Sequence, residues 1–278
     1  PAAVKIFNQC YRVVCNDNYV TEQPNSNGIW YDVGNVDGVF TNNWIENIGN
    51  KSSEFFPGQV WPSDNGFFFE ISKGVICAGN VFVNCDHGML ILNSNSARIY
   101  NNTFVNSTAC IGRDARSAQG DHFGWHPATR PDVDERMGHV FVNNLLAGDE
   151  NYSRPLLFVW QSRKICDRIK DSQLKEFNNN VYVNENKNES LILWGPAENS
   201  NCRIELNNLD QITKMYPAFE TESKHFFEGI NNIFVNSYQY NYNLQNPNNY
   251  SLYAKKIPEN IGKLLKTGAG DKYIGAYK

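Results

Sequence analysis

The sequence predicts an all-β protein, a right-handed parallel β-helix (solenoid) with inserted loops. Three observations lead there. A hexapeptide of the form Asn-Asn-x-aromatic/aliphatic-Val-Asn recurs along the chain, the spacing between copies falls as low as 22 residues, and several strands align with their side-chain alternation in phase.

The hexapeptide stands at 42–47, 79–84 and 101–106, with weaker copies at 143–146, 179–184 and 231–236 and an earlier relative at 17–20. Its second asparagine falls at Asn18, Asn43, Asn80, Asn102, Asn144, Asn180 and Asn232. One short strand after each asparagine, repeated at about 22 residues, is the signature of coils that cannot bury an apolar face alone and bury it by stacking. Asparagine tolerates the left-handed backbone of a tight corner, and stacked asparagines can hydrogen-bond from coil to coil. A β-sandwich with turn asparagines would not keep the copies in phase, and a leucine-rich repeat lacks its leucines here.

Three coils align at 28–33 (Gly-Ile-Trp-Tyr-Asp-Val), 66–71 (Gly-Phe-Phe-Phe-Glu-Ile) and 88–92 (Gly-Met-Leu-Ile-Leu). Side chains alternate along a strand. With Ile29, Tyr31 and Val33 inward, Trp30 and Asp32 point outward; with Phe67, Phe69 and Ile71 inward, Phe68 and Glu70 point outward. Asp32 then lies over Glu70, and Trp30 over Phe68, on an exposed strand face.

Two inserts interrupt the repeat. The first, between Ile48 and Asn65, carries Phe55, Phe56, Pro57, Trp61 and Pro62 and reads as an ordered loop. The second, from Gly112 to Arg136, gathers Arg113, Asp114, Arg116, His122, Trp125 and His126; three of the five histidines lie between 122 and 139. Loops of this length in a compact fold are usually functional. Beyond about residue 185 the repeat fades, and 257–267 reads as a short terminal helix. We read 1–278 as a single domain, either a mature form, an excised segment or the C-terminal part of a longer chain.

Composition bounds the function. The 278 residues are 41% hydrophobic and 19% charged, which describes a folded chain, and the net charge of −4 gives no support for nucleic-acid binding. No run of 18 apolar residues is present, so no membrane span is expected. Seven cysteines at 10, 15, 77, 85, 110, 166 and 202, with no CxxC, argue against a zinc ribbon or a full disulfide framework and read mostly as buried thiols.

Chemistry is expected at the stacked carboxyls. Adjacent strands lie about 4.8 Å apart, which suits the carboxyl separation of about 5–5.5 Å in retaining glycosidases. Like charges that close raise one pKa, setting an acid beside a nucleophile. Trp30 and Phe68 offer flat faces for a sugar ring. His122, Trp125 and His126 are candidates to bind substrate from the second insert. Their His-x-x-x-His spacing would suit a metal only on a helix, which Gly124 and Pro127 break, so no metal is assigned. Asp114, placed below Leu92 by counting, would line the same groove, and Arg113 and Arg116 would pair with it or meet an acidic sugar.

The segments 28–32, 68–74 and 138–148 resemble the core of β-helix glycoside hydrolases, the β-xylosidase family 120 in particular. The resemblance implies that Asp32, in the Gly-Ile-Trp-x-Asp strand, is the nucleophile and that Glu70, in the Phe-x-Glu strand, is the general acid. It covers roughly residues 15–150, and Val33 stands where that family is expected to carry Trp. It implies a secreted or periplasmic enzyme acting on a carbohydrate without a cofactor, and the end of the chain, 271–277, is similar to closing segments of such proteins. Two alternatives stay open. A polysaccharide lyase would use Lys73, Arg98 or Arg113 as base and bind calcium at Asp132, Asp134 and Glu135. A glycan-binding protein of the same build would bind without turnover.

Overall fold

The computed structural model describes residues 1–50, 63–186, 190–268 and 270–277. Phe55, Phe56, Pro57, Trp61 and Pro62 of the first insert lie outside the described residues.

Up to Ile192–Trp194 the chain visits three sheets in rotation, so that strands pair with the strand three positions later. The first sheet runs through Ala2–Phe7, Asn27–Asp32, Asn65–Glu70, His87–Leu92, Thr108–Arg113, Leu157–Gln161 and Ile192–Trp194, all parallel. The second contains Val14–Asn16, Val36–Thr41, Lys73–Ala78, Asn95–Tyr100, His139–Val142 and Leu174–Asn178. The third contains Tyr19–Gln23, Trp44–Ile48, Val81–Val83, Thr103–Val105, Leu145–Ala147, Val181–Val183 and Lys224–Phe226. Between them lies an apolar core in which aromatic rings stack: Phe40 on Phe67 at 4.0 Å and Phe82 on Phe104 at 4.8 Å. Each such ring contributes about 1.5–3 kcal/mol by leaving water.

The paired asparagines divide two tasks at the corner between the second and third sheets. The first residue of each pair turns the chain: Asp17, Asn42, Gly79, Asn101, Asn143 and Asn179 have φ between 52° and 68°, where an L side chain other than Asn or Asp is disfavoured. The second builds a ladder. Asn18 Nδ2 donates to Asn43 Oδ1 at 2.8 Å, Asn43 to Asn80 at 2.9 Å, Asn80 to Asn102 at 2.9 Å, Asn102 to Asn144 at 3.0 Å and Asn144 to Asn180 at 3.2 Å. The outward amides of the turning residues meanwhile hold the C-terminal segment: Asn42, Asn101, Asn143 and Asn179 donate to the carbonyls of Leu264, Tyr273, Lys255 and Tyr253.

The expected class is corrected. The chain is not an all-β right-handed parallel β-helix: it is mixed, about 40% strand and 12% helix in several stacked parallel sheets. Helices occupy Arg163–Cys166, Leu209–Met215, Pro247–Ser251 and Glu259–Leu264, while Ile204–Leu206 pairs antiparallel with Ile192–Trp194 and Phe234–Asn236 antiparallel with Asn241–Leu244. The physical reason lies in the last third of the sequence, where the Asn-apolar rhythm gives way to helix starts. Asn208 caps its helix reciprocally with Gln211, and Pro247 stands in the first turn of the next. The copy at 231–236 accordingly joins no ladder; it forms a 3-10 turn and an antiparallel strand.

Two further findings concern pairing. Cys166 and Cys202, 36 residues apart, form a disulfide, while Cys77, Cys85 and Cys110 are buried thiols. The circuit is one residue short of the 22-residue repeat at His87, opposite Thr108, and a register shift between His87 and Met89 removes another, so Leu92 lies opposite Gly112. Asp114 is therefore carried two residues past the expected position and off the strand.

Candidate functional site

The first sheet ends at a corner with the second, and a column of side chains runs along its last position. In register these are Phe7, Asp32, Glu70, Leu92 and Gly112. Two carboxyls thus sit on adjacent strands with apolar residues before and after them. They border a cleft of about 870 Å³, whose wall is completed by Lys5, Trp30, Val33, Ile71, Arg116, Asp121, His122 and Phe123.

Both carboxyls are buried, Asp32 at 5% and Glu70 at 1% exposure, which corrects the exposed strand face expected from alternation. The second insert folds over that face and removes it from water. Arg136 anchors the insert: its fully buried guanidinium donates to Asn93 Oδ1 at 3.0 Å and to the carbonyls of Asp114 and Arg116 at 3.1 and 2.7 Å. Arg130 ties the far side by donating to Asn8 Oδ1 at 2.6 Å. Arg116 is thereby brought to Glu70, with Nη2 2.6 Å from Oε1. On the other carboxyl, Lys5 Nζ lies 2.8 Å from Asp32 Oδ2 and 3.9 Å from the centre of the Trp30 ring.

These contacts separate the two acids. Burial raises the pKa of Asp32, and Lys5 opposes the rise. Burial pushes Glu70 further, to about 8; Arg116 opposes and the neighbouring Asp32 charge adds to it. The short Arg116 contact by itself would suit an ionised Glu70, but burial outweighs it. A neutral Glu70 can still accept from Arg116 through Oε1, leaving the proton on Oε2, which has no hydrogen-bond partner among the described residues.

The backbone after each carboxyl is strained. Val33 and Ile71 have φ of 53° and 45°, while the same corner in the flanking circuits is turned by Asn8 and Asn93 at 64° and 51°. A β-branched residue in this region costs on the order of 1–3 kcal/mol. Val33 and Ile71 pack on Ala118 of the insert and give the cleft an apolar wall.

The other expected site residues divide. His122 lines the cleft beside Phe123. Trp125 and His126 do not line it: Trp125 Nε1 donates to the Arg130 carbonyl at 3.2 Å, and His126 Nδ1 accepts from the Ala128 amide. Trp30 borders the cleft, but one face stacks on Phe68 at 5.0 Å and Lys5 covers its ring, so Phe68 is its buried support. Arg113 is fully buried away from the cleft, its Nε 2.7 Å from Gln161 Oε1. Asp114 lies 3.6 Å from Arg136 and caps the Arg116 amide. The residues considered for a lyase do not reach the cleft. Lys73 contacts Pro127 and Glu135, Arg98 contacts Asn260, and Asp134 pairs with Arg168. Among the described residues no three His, Cys, Asp or Glu side chains group closely enough to hold a metal ion.

Sequence reasoning missed Lys5, Arg130 and Arg136. Lys5 had a signal: Val4-Lys5-Ile6-Phe7 precedes Ile29-Trp30-Tyr31-Asp32 by the same 25 residues that separate Asn18 from Asn43. The two arginines had none, because their partners depend on how the insert folds back.

No family model, no curated protein and no solved structure matches this chain.

Proposed function

We propose that the protein is a glycoside hydrolase acting on a poly- or oligosaccharide with retention of configuration. The observation that carries this reading is a pair of buried carboxyls on adjacent, in-register parallel strands beside a substrate-sized cleft, one paired with a lysine and the other buried more deeply beside an arginine, with its pKa pushed up to about 8. Adjacent strands are about 4.8 Å apart, in keeping with the retaining separation of about 5–5.5 Å. The resemblance of the strands carrying Asp32 and Glu70 to the family 120 β-xylosidases points the same way.

In this mechanism the Asp32 carboxylate attacks the anomeric carbon while the glycosidic C–O bond breaks and the Glu70 proton passes to the leaving oxygen. Water then attacks the glycosyl ester, Glu70 takes the water proton, and Asp32 is released. Lys5 favours the ionised form of the nucleophile against the effect of burial, and Arg116 fixes the orientation of Glu70. The disulfide between Cys166 and Cys202 supports a secreted or periplasmic location, where such bonds persist.

Hydrolysis of a panel of aryl glycosides by the wild type, Asp32→Asn and Glu70→Gln tests the reading. Glu70→Gln should lose about 10²–10⁴-fold on a poor leaving group and keep its first step on an activated one. Asp32→Asn should lose activity on both. Full activity in either variant removes that residue from the mechanism.

A further inference from the structure

At the opposite end of the first-sheet strands, where the third sheet turns into the first, the structure carries another groove. Its floor is a ladder of short polar side chains. Asn84 and Asn106 turn the chain with φ of 51° and 48°, and the Asp149 amide donates to Asn106 Oδ1 at 2.9 Å. Asn106 Nδ2 lies 3.4 Å from Asn84 Oδ1 and 2.7 Å from Asp149 Oδ2. These three residues border two cavities at once, of about 450 and 270 Å³. The smaller also receives Tyr238 and Tyr240, 82% and 49% exposed, and the larger receives Arg154, which is held by Asp86 at 2.9 Å.

We propose that this groove binds a neutral polysaccharide chain, holding the polymer while the Asp32/Glu70 cleft cuts it. The inference rests on the carbohydrate reading of that cleft. Planar amide and carboxylate groups match vicinal sugar hydroxyls, and exposed tyrosine rings match the C–H face of a pyranose, as an apolar body with a polar rim. The rungs repeat at the strand spacing of about 4.8 Å, close to the length of one sugar unit in an extended chain. The groove is acidic through Asp149 and Glu150, while its arginine is already paired, so a polyanion is disfavoured. Strands of six residues at about 3.3 Å each put roughly 20 Å between groove and cleft, more than one sugar can span.

Affinity electrophoresis of Asp32→Asn, which cannot consume the polymer, tests this. The gels contain xylan, arabinan, β-glucan or galactomannan, with polygalacturonate as the acidic control. At least one neutral polymer should retard the protein and polygalacturonate should not. Adding Tyr238→Ala and Tyr240→Asn, both at exposed positions, should weaken that retardation about tenfold. In the otherwise wild-type protein the same two changes should leave hydrolysis of an aryl glycoside unchanged. Retardation by no neutral polymer, or retardation that survives both tyrosine changes, overturns the groove. Retardation that depends on the tyrosines in a protein that hydrolyses no glycoside upholds the groove and overturns the hydrolase reading instead.

Discussion

At the corner between the second and third sheets, every circuit from Asn18 to Asn180 repeats one solution. A small residue with positive φ turns the chain, and an asparagine behind it satisfies both neighbours. At the corner between the first and second sheets the same turn is needed, and Asn8 and Asn93 supply it conventionally. In the two circuits between them, Val33 and Ile71 take the strained angle, and the residues before them are buried carboxyls. One corner is satisfied and repeated; the other is strained, charged and confined to two circuits. The contrast teaches where stability and where chemistry reside, because strain and unsatisfied polar atoms persist where a site needs them.

Three measurements break or sharpen this contrast. The largest effect is expected from Asn102→Leu. It removes bonds to Asn80, Asn144 and the Cys77 carbonyl and leaves buried polar groups unsatisfied. The cost should be about 4 kcal/mol or more, read from urea unfolding. A loss under about 1 kcal/mol, the size of one ordinary hydrogen bond, would mean that the ladder does not hold the circuits together.

A smaller effect concerns Glu220, the buried carboxyl at the end of the ladder, which accepts from Tyr182 Oη at 2.6 Å and Asn180 Nδ2 at 3.1 Å. Burial raises its pKa to about 8, so the folded chain keeps a proton that the unfolded chain releases near about 4.3. Stability contributed by this proton is complete at low pH and is lost as pH rises from about 5 to about 8, by no more than about 1.4 kcal/mol per pH unit. Across that window the melting temperature of Glu220→Gln, measured relative to the wild type, should rise with pH, because the variant lacks this one loss. An unchanged slope would show that Glu220 is ionised in the fold.

The smallest effect is expected at the strained corner. Ile71→Asn restores the residue type used in the next circuit. The strain released, about 1–3 kcal/mol, offsets the burial lost, about 1.5–3 kcal/mol, so stability should change by about 1 kcal/mol or less. A loss as large as that of Asn102→Leu would erase the difference between the corners.

The sequence made some of this legible. Asn80 over Asn102 could be read because a fixed repeat sets register where the chain adds no residue, and Asp32 over Glu70 because the matching alternation of 28–33 and 66–71 realigns the strands across the first insert. The place of Asp114 could not, since the shift near His87 leaves no mark in the residues. The burial of the carboxyls was hidden for the same reason as Arg136: both depend on an insert folding back over the sheet, and no periodicity reports that. The mixed class was missed because the repeat dominates the first two thirds, while the capping pair Asn208 and Gln211 is a local signal easily lost beside it.

The account turns on two carboxyls in one column holding different protonation states. Carbon NMR of protein labelled at the glutamate carboxyls, with the Glu70 signal assigned by its loss in Glu70→Gln, follows that directly. The account predicts a Glu70 midpoint of about 8, falling when Asp32→Asn removes the neighbouring charge. A midpoint in the ordinary glutamate range near about 4.3, or one that Asp32→Asn leaves in place, would contradict it.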